Sequence, residues 1–370
     1  MPTFTVRQAG GDFSTLASAL SSGGTVPGDT ISIEGAWTID DTAGAFVADN
    51  DITIQTDSDS YHNGVIDTTQ NHYRLVVASV ALRVNNSGCV IDGVATILDS
   101  AVGSAEAIRC QTFTGAITIS NFILRSVQIT SDQDGIFSSG QTITMNLENG
   151  IIYGFARGGI KTQTSGVATV EINLNCVTIW DCARDAAESD GGGITIEDNV
   201  VGVTQNINIF NSCIVDCNNA ESTDYEQQGS AGILTWDINN CIDSDGSITI
   251  RDPGAVGAIQ NRIATDNPSP GVGDFVIFQD ITAAPFNLLL FDNAPDNDAQ
   301  DAHSALSGAG LTLPILDIAL DTRDRGANEI DVGADSITQP PPVEPGLPEY
   351  GQGRAAIGDP PVYGATIVRS

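Results

Sequence analysis

The sequence predicts an all-β fold of the solenoid kind, in which a short run of strands recurs and each copy stacks on the one before. Three observations predict it. First, one phrase returns in altered form: SGCVIDGV (87–94), SNFILRSV (120–127), LENGIIYGFA (147–156), LNCVTIWDCA (174–183), NSCIVDCNNA (211–220) and INNCIDSD (238–245). Second, the pairs Ala107-Ile108, Gly135-Ile136, Gly159-Ile160, Gly193-Ile194 and Gly232-Ile233 form a parallel ladder. Third, alternating apolar positions lie between the ladders, as at Ile117/Ile119, Ile143/Met145, Val170/Ile172 and Ile207/Ile209, and helical periodicity is missing there. Period-two segments in a repeat of this length are the mark of stacked β coils.

The residue after each Asn, Ser or Gly marks a register: Cys89, Phe122, Gly150, Cys176, Cys213 and Cys241, at steps of 33, 28, 26, 37 and 28 residues. Equivalent residues on adjacent coils lie about 4.8 Å apart. The marks are therefore expected to form a column, with Cys176, Cys213 and Cys241 facing inward as free thiols. Asn121, Asn149, Asn175 and Asn240 stand just before it. A tight bend there needs left-handed backbone angles, which Asn tolerates, so the spacing predicts an asparagine ladder.

In chain order, residues 1–29 hold a first strand, TFTVRQAGG, and a short helix, DFSTLASAL. Asp12 is placed to cap that helix, and Phe13, Leu16, Ala17 and Leu20 share one face able to cover the open end of the core. Residues 30–285 form the solenoid, with nine or ten coils in a rod of about 45 Å. A closing segment spans 286–337. Residues 338–370 hold seven of the fifteen prolines and read as an extended arm. Tyr350, Ile357, Tyr363, Ile367 and Val368 are its candidate docking residues.

Composition narrows the functions. The net charge is −33, from 47 acids against 14 bases. That balance argues against a nucleic-acid groove, which needs clustered Lys and Arg, and favours a chain kept soluble by its own charge. The start shows no basic segment followed by an apolar run, and no stretch is long and apolar enough to span a membrane. The expectation is a chain made and kept in the cytoplasm until assembly or lysis. Seven cysteines without metal-type spacing point to buried free thiols.

The opening strand with GGDFSTLASAL (10–20) and the close RGANEIDVGAD (325–335) resemble the entry and ending of right-handed parallel β-helices of the pectate-lyase and pectinesterase kind. The resemblance covers roughly residues 3–336 and implies a right-handed parallel β-helix, although fold alone does not assign function. Phage spike and fibre proteins use the same fold. It therefore implies a virion component: a capsid decoration, fibre or spike, trimeric by analogy and attached to other virion proteins through its C-terminal arm. The alternative is a depolymerase, a glycoside hydrolase or polysaccharide lyase acting on a host-surface glycan. GFARGG (154–159) departs from the pectinesterase motif where the catalytic Asp would stand, so no family site transfers to this chain.

For the enzymatic alternative, two acidic loops are the candidates, WDCARDAAESDGG (180–192) and DCNNAESTDYEQQG (216–229). They would bring Asp181, Asp185 and Asp190 beside Glu221, Asp224 and Glu226 at separations used by glycosidases. Trp180, Tyr225 and Trp236 are candidates to stack on sugar rings. Arg157, Lys161 and Arg184 are the basic residues available to a lyase. No cofactor is required; calcium is the one ion considered, through Asp292, Asp296, Asp298 and Asp301, although the run lacks the EF-hand glycine and final Glu.

Overall fold

The computed structural model describes residues 2–260, with gaps of at most six residues, and the strands Phe278–Asp280 and Asn287–Leu290. The chain divides into residues 1–338 and 339–370, and the second unit, with the arm's candidate docking residues, lies outside the described residues. The solenoid is a right-handed parallel β-helix. Ten strands follow one another along its longest sheet, from Thr3–Val6 to Gly257–Gln260, and each pairs in parallel with the next. Nine spacings of about 4.8 Å give a rod of about 43 Å.

Each coil has three faces. In one central coil, residues 115–120 of the strand Gly115–Ser126 form the first, residues 122–126 the second, and Gln133–Ser139 the third. Inward residues alternate with outward ones, as the pleat requires. Ile117 and Ile119, Leu124, and Ile136 fill the interior from the three faces. The same positions one coil on carry Met145 and Leu147, Ile152, and Ile160.

The bend between first and second faces is where the repeated phrase has its physical cause. Gly93, Asn121, Asn149, Cys176 and Asn211 occupy it in successive coils, with φ of 78°, 51°, 55°, 57° and 51°. Glycine and asparagine enter this region at least cost. The side chains bond up the stack. Asn121 Nδ2 donates to Asp92 Oδ1 at 2.7 Å, Asn149 Nδ2 to Asn121 Oδ1 at 2.6 Å, and Asn211 Nδ2 to Asn175 Oδ1 at 3.1 Å. The asparagine ladder is present, with Asn211 as a member that the repeat alone did not mark; Asn240 lies outside the described residues.

The cysteine column is corrected. All seven thiols are free and buried. Val177, however, pairs with Gly150, Thr178 with Cys213, and Cys213 with Ile242. Cys176, Cys241 and Cys213 thus stand in three adjoining columns at one bend. Cys176 takes the left-handed position itself, with Asn175 before it, and this shifts the register by one.

The N-terminal cap is present but shorter than expected. The helix runs Leu16–Ser21, burying Leu16, Ala19 and Leu20, with Phe13 and Ala17 packed against the core. Thr15 begins it, accepting from the Ser18 amide at 3.1 Å, while Asp41 Oδ2 accepts from the Leu16 amide at 2.8 Å. Asp12 does not cap; it accepts from the amide and hydroxyl of Thr5. Further along the chain, Phe278–Asp280 pairs antiparallel with Asn287–Leu290 as a separate sheet, a departure from the parallel pairing.

Candidate functional site

The third face builds a groove on its outer side. Ile108, Ile136, Ile160, Ile194 and Tyr225 are in register and point inward. Their neighbours Arg109, Phe137, Lys161, Thr195 and Glu226 form the adjacent outward column. A second outward column precedes it: Glu106, Asp134, Gly158 and Gly192. The glycines leave room beside the acids, since a Cβ at 158 would come within 3.3 Å of Asp134 Oδ1. The result is a polar cavity of about 320 Å³, walled by Glu106, Arg109, Phe137, Arg157, Lys161 and Glu197.

Its charges are arranged in pairs. Arg157 Nε donates to Asp134 Oδ1 at 3.1 Å while Nη2 takes Oδ2, and Nη1 reaches Asp132. Lys161, the chain's single lysine, lies 3.4 Å from Glu197 Oε2, and Gln163 Nε2 donates to Glu197 Oε1 at 3.0 Å. Arg109 Nη2 lies 3.1 Å from Glu106 Oε1, and its guanidinium sits 5.3 Å over the Phe137 ring.

Glu106 differs from the rest. It is 1% exposed, and its Oε2 has no hydrogen-bond partner. Burial, with the negative charge of Asp134 adding to it, pushes the carboxyl up to about 7 against the opposing pull of Arg109, Arg157 and Arg83. Burial also raises Asp134, while the bond to Arg157 opposes that rise. Two carboxyls in one column thus have different surroundings, one poorly paired and one clamped by a guanidinium.

No family model matches the chain, and no curated protein does. Among solved structures, a pectin methylesterase from Aspergillus niger is similar over 72% of this chain and 91% of its own, at 12% identity and a TM-score of 0.30. The β-helix itself rests on the strand pairing above.

The acidic loops do not assemble as expected. Asp224 and Glu226 lie on the third-face strand Thr223–Gln228, not in a loop. Asp224 is buried at an inner corner, where Oδ1 accepts from the Cys217 amide at 3.1 Å. Glu226 is buried in the outward column two coils past Lys161, with Gln228 Nε2 donating to it at 2.7 Å. Asp181 pairs with Arg184 at 3.2 Å, and the Asp185 amide donates to Ala156 O at 3.0 Å. Asp190 and Glu221 lie outside the described residues, as do Asp292, Asp296, Asp298 and Asp301. Among the described residues, no three His, Cys, Asp or Glu side chains converge on a metal position.

The aromatic candidates are corrected as well. Tyr225 and Trp236 are wholly buried and meet edge-on at 5.9 Å inside the coil, in the places of Ile194 and Ile207. Trp180 is 6% exposed and packs on Tyr153, which lies under Arg125. Rings so enclosed offer no face to a sugar. Of the basic residues, Arg157 and Lys161 do meet in the groove, whereas Arg184 lies near Gly154. Glu106, Asp134 and Arg109 were missed, although the Ala107-Ile108 and Gly135-Ile136 ladder already put them in two flanking columns.

Proposed function

We propose that the third-face groove is a polysaccharide-cleaving site, with Glu106 as proton donor and Asp134 as its ionised partner. Glu106 carries the reading: a buried carboxyl, pushed up to about 7, with an unpartnered Oε2 in a polar cavity. Such a group is held protonated near neutrality and can give its proton to a departing glycosidic oxygen. Asp134 stands one coil away, and register partners lie about 4.8 Å apart. Its charge would stabilise the positive charge developing at the anomeric carbon while Arg157 fixes its position, and a water molecule adding to that carbon would complete the hydrolysis.

The test is incubation of purified protein with neutral and acidic polysaccharides, scoring new reducing ends and unsaturated products. Cleavage is expected to fall as pH rises through about 7 and to be lost in Glu106→Gln. A folded protein that yields no new reducing ends, or whose products are unsaturated, sinks this reading.

A second reading, display of the β-helix on a phage particle without catalysis, is favoured by one observation. Each groove cation already faces a carboxylate, so the groove is balanced without a ligand. In that reading residues 338–370 attach the body to other virion proteins. Deleting them should then leave the rod folded and abolish incorporation into particles; normal assembly of the truncated chain would remove the arm from that role.

A further inference from the structure

We propose that the outward column of the third face continues into a second subsite, formed by Phe46 and Arg83, that binds the far end of an acidic polysaccharide lying along the rod. The inference builds on the groove reading for where that chain's other end sits. Register places Phe46, Arg83, Arg109, Phe137 and Lys161 in one unbroken column over five coils. Four spacings of about 4.8 Å make the track about 19 Å long. Each coil spacing is close to the length of one pyranose unit, so four or five sugars would follow the column.

Three features mark the far end as built for a ligand. A cavity of about 360 Å³ opens there, lined by Gly44, Phe46, Ser79, Val80 and Arg83. Gly44 lets the next coil's backbone come close at this end, since a Cβ there would come within 2.7 Å of Val80 O. Phe46 leaves 46% of its surface exposed, while Ala45 and Val47 on either side are buried, so an apolar ring is presented to solvent on the groove side. A ring in this position can stack on the apolar face of a sugar.

Arg83 supplies the preference for charge. Arg7, Arg74, Arg109, Arg157 and Arg184 each face a carboxylate, and Arg125 lies over Tyr153. Arg83 is exposed and, alone among the described arginines, makes no ion pair, hydrogen bond or ring contact. Its charge reaches the Glu106 carboxyl, yet no carboxylate among the described residues closes on its guanidinium. It stands beside Arg109, between the two cavities, where a carboxylate on a passing sugar would meet an open bidentate donor.

The test is titration calorimetry on the full chain carrying Glu106→Gln, with a β-1,4-linked mannuronate hexamer, its dimer, and mannohexaose. The hexamer is expected to bind more tightly than mannohexaose. Adding Arg83→Ala or Phe46→Ala should weaken hexamer binding about tenfold, the equivalent of one good contact, and leave the dimer and the melting temperature unchanged. Unchanged hexamer affinity in both variants, equal losses for hexamer and dimer, or no hexamer binding by the parent would each overturn the subsite. Arg83-dependent binding by a wild-type chain that cleaves nothing would keep the subsite and remove the cleavage reading. Cleavage with Arg83-independent binding would do the reverse.

Discussion

The ring of Phe122 lies over Gly150: a Cβ at 150 would come within 2.1 Å of Phe122 Cζ. The two are register partners just past the bend, and Phe122 is fully buried. Gly150→Ala is therefore expected to destabilise the rod by about 1–3 kcal/mol, the usual cost of overpacking. Phe122→Leu in the same chain should recover part of that loss, because neighbours that share one space are not additive. Urea denaturation of the two single variants and the double variant measures the coupling; strict additivity would mean that the ring moves aside freely.

The bend ladder yields a second expectation. Asn149 holds φ of 55° and donates to Asn121 at 2.6 Å. Asn149→Gly keeps the backbone easy and loses the side-chain bond, whereas Asn149→Ala loses both. Alanine should cost more than glycine by about 1 kcal/mol, the penalty for a Cβ in the left-handed region. Thermal unfolding of the pair checks the order, and glycine proving the worse substitution would contradict it.

These two sites also show what could be read in advance. The bend recurs in sequence because its backbone angle restricts the residue type, so Asn121, Asn149 and Asn211 left a visible trace. Cys176 occupies the same slot, and that exception displaced the cysteine register by one. The groove left a weaker trace. Any polar side chain is tolerated on an outward position, so Glu106, Arg109 and Asp134 become a site only once coil-to-coil pairing is known. Between residues 106 and 108 the pairing with 134 and 136 passes over one residue, which breaks simple alternation where the acids stand. Tyr225 and Trp236 mislead for the opposite reason: large aromatics in an acidic segment resemble sugar platforms, yet alternation turns both inward.

The clamp between Arg157 and Asp134 predicts an asymmetric response. Asp134 is fully buried, and both its oxygens are engaged by the guanidinium. Arg157→Ala would leave a buried carboxylate unpaired, at a cost of about 3–5 kcal/mol. Asp134→Asn removes the charge that needs the partner, so the double variant Asp134→Asn, Arg157→Ala should be more stable than Arg157→Ala alone. A double-mutant cycle by denaturant unfolding reads the difference, and a double variant weaker than both singles would dismiss the clamp.

The last prediction opposes two buried groups. His62 Nε2 lies 2.9 Å from Asn121 O, the Gly64 amide donates to Nδ1, and burial lowers the imidazole from 6.5 to about 4, with His72 adding to the fall. Between those values the unfolded chain binds the proton and the native state does not, so this term makes stability rise with pH. Glu106 is raised from 4.5 to about 7, beside Asp134 and the opposing Arg109, Arg157 and Arg83. There the native state holds the proton that the unfolded chain has lost, so its contribution is complete below 4.5 and disappears as pH rises through 7. From 4.5 to 6.5 the two slopes oppose each other. Glu106→Gln removes one falling slope and should make stability rise more steeply with pH than in the parent across that window, whereas His62→Gln should make it fall more steeply. Denaturant unfolding of both variants against the parent over this range reads the slopes. Parallel pH profiles for all three proteins would show that neither group titrates as its surroundings dictate.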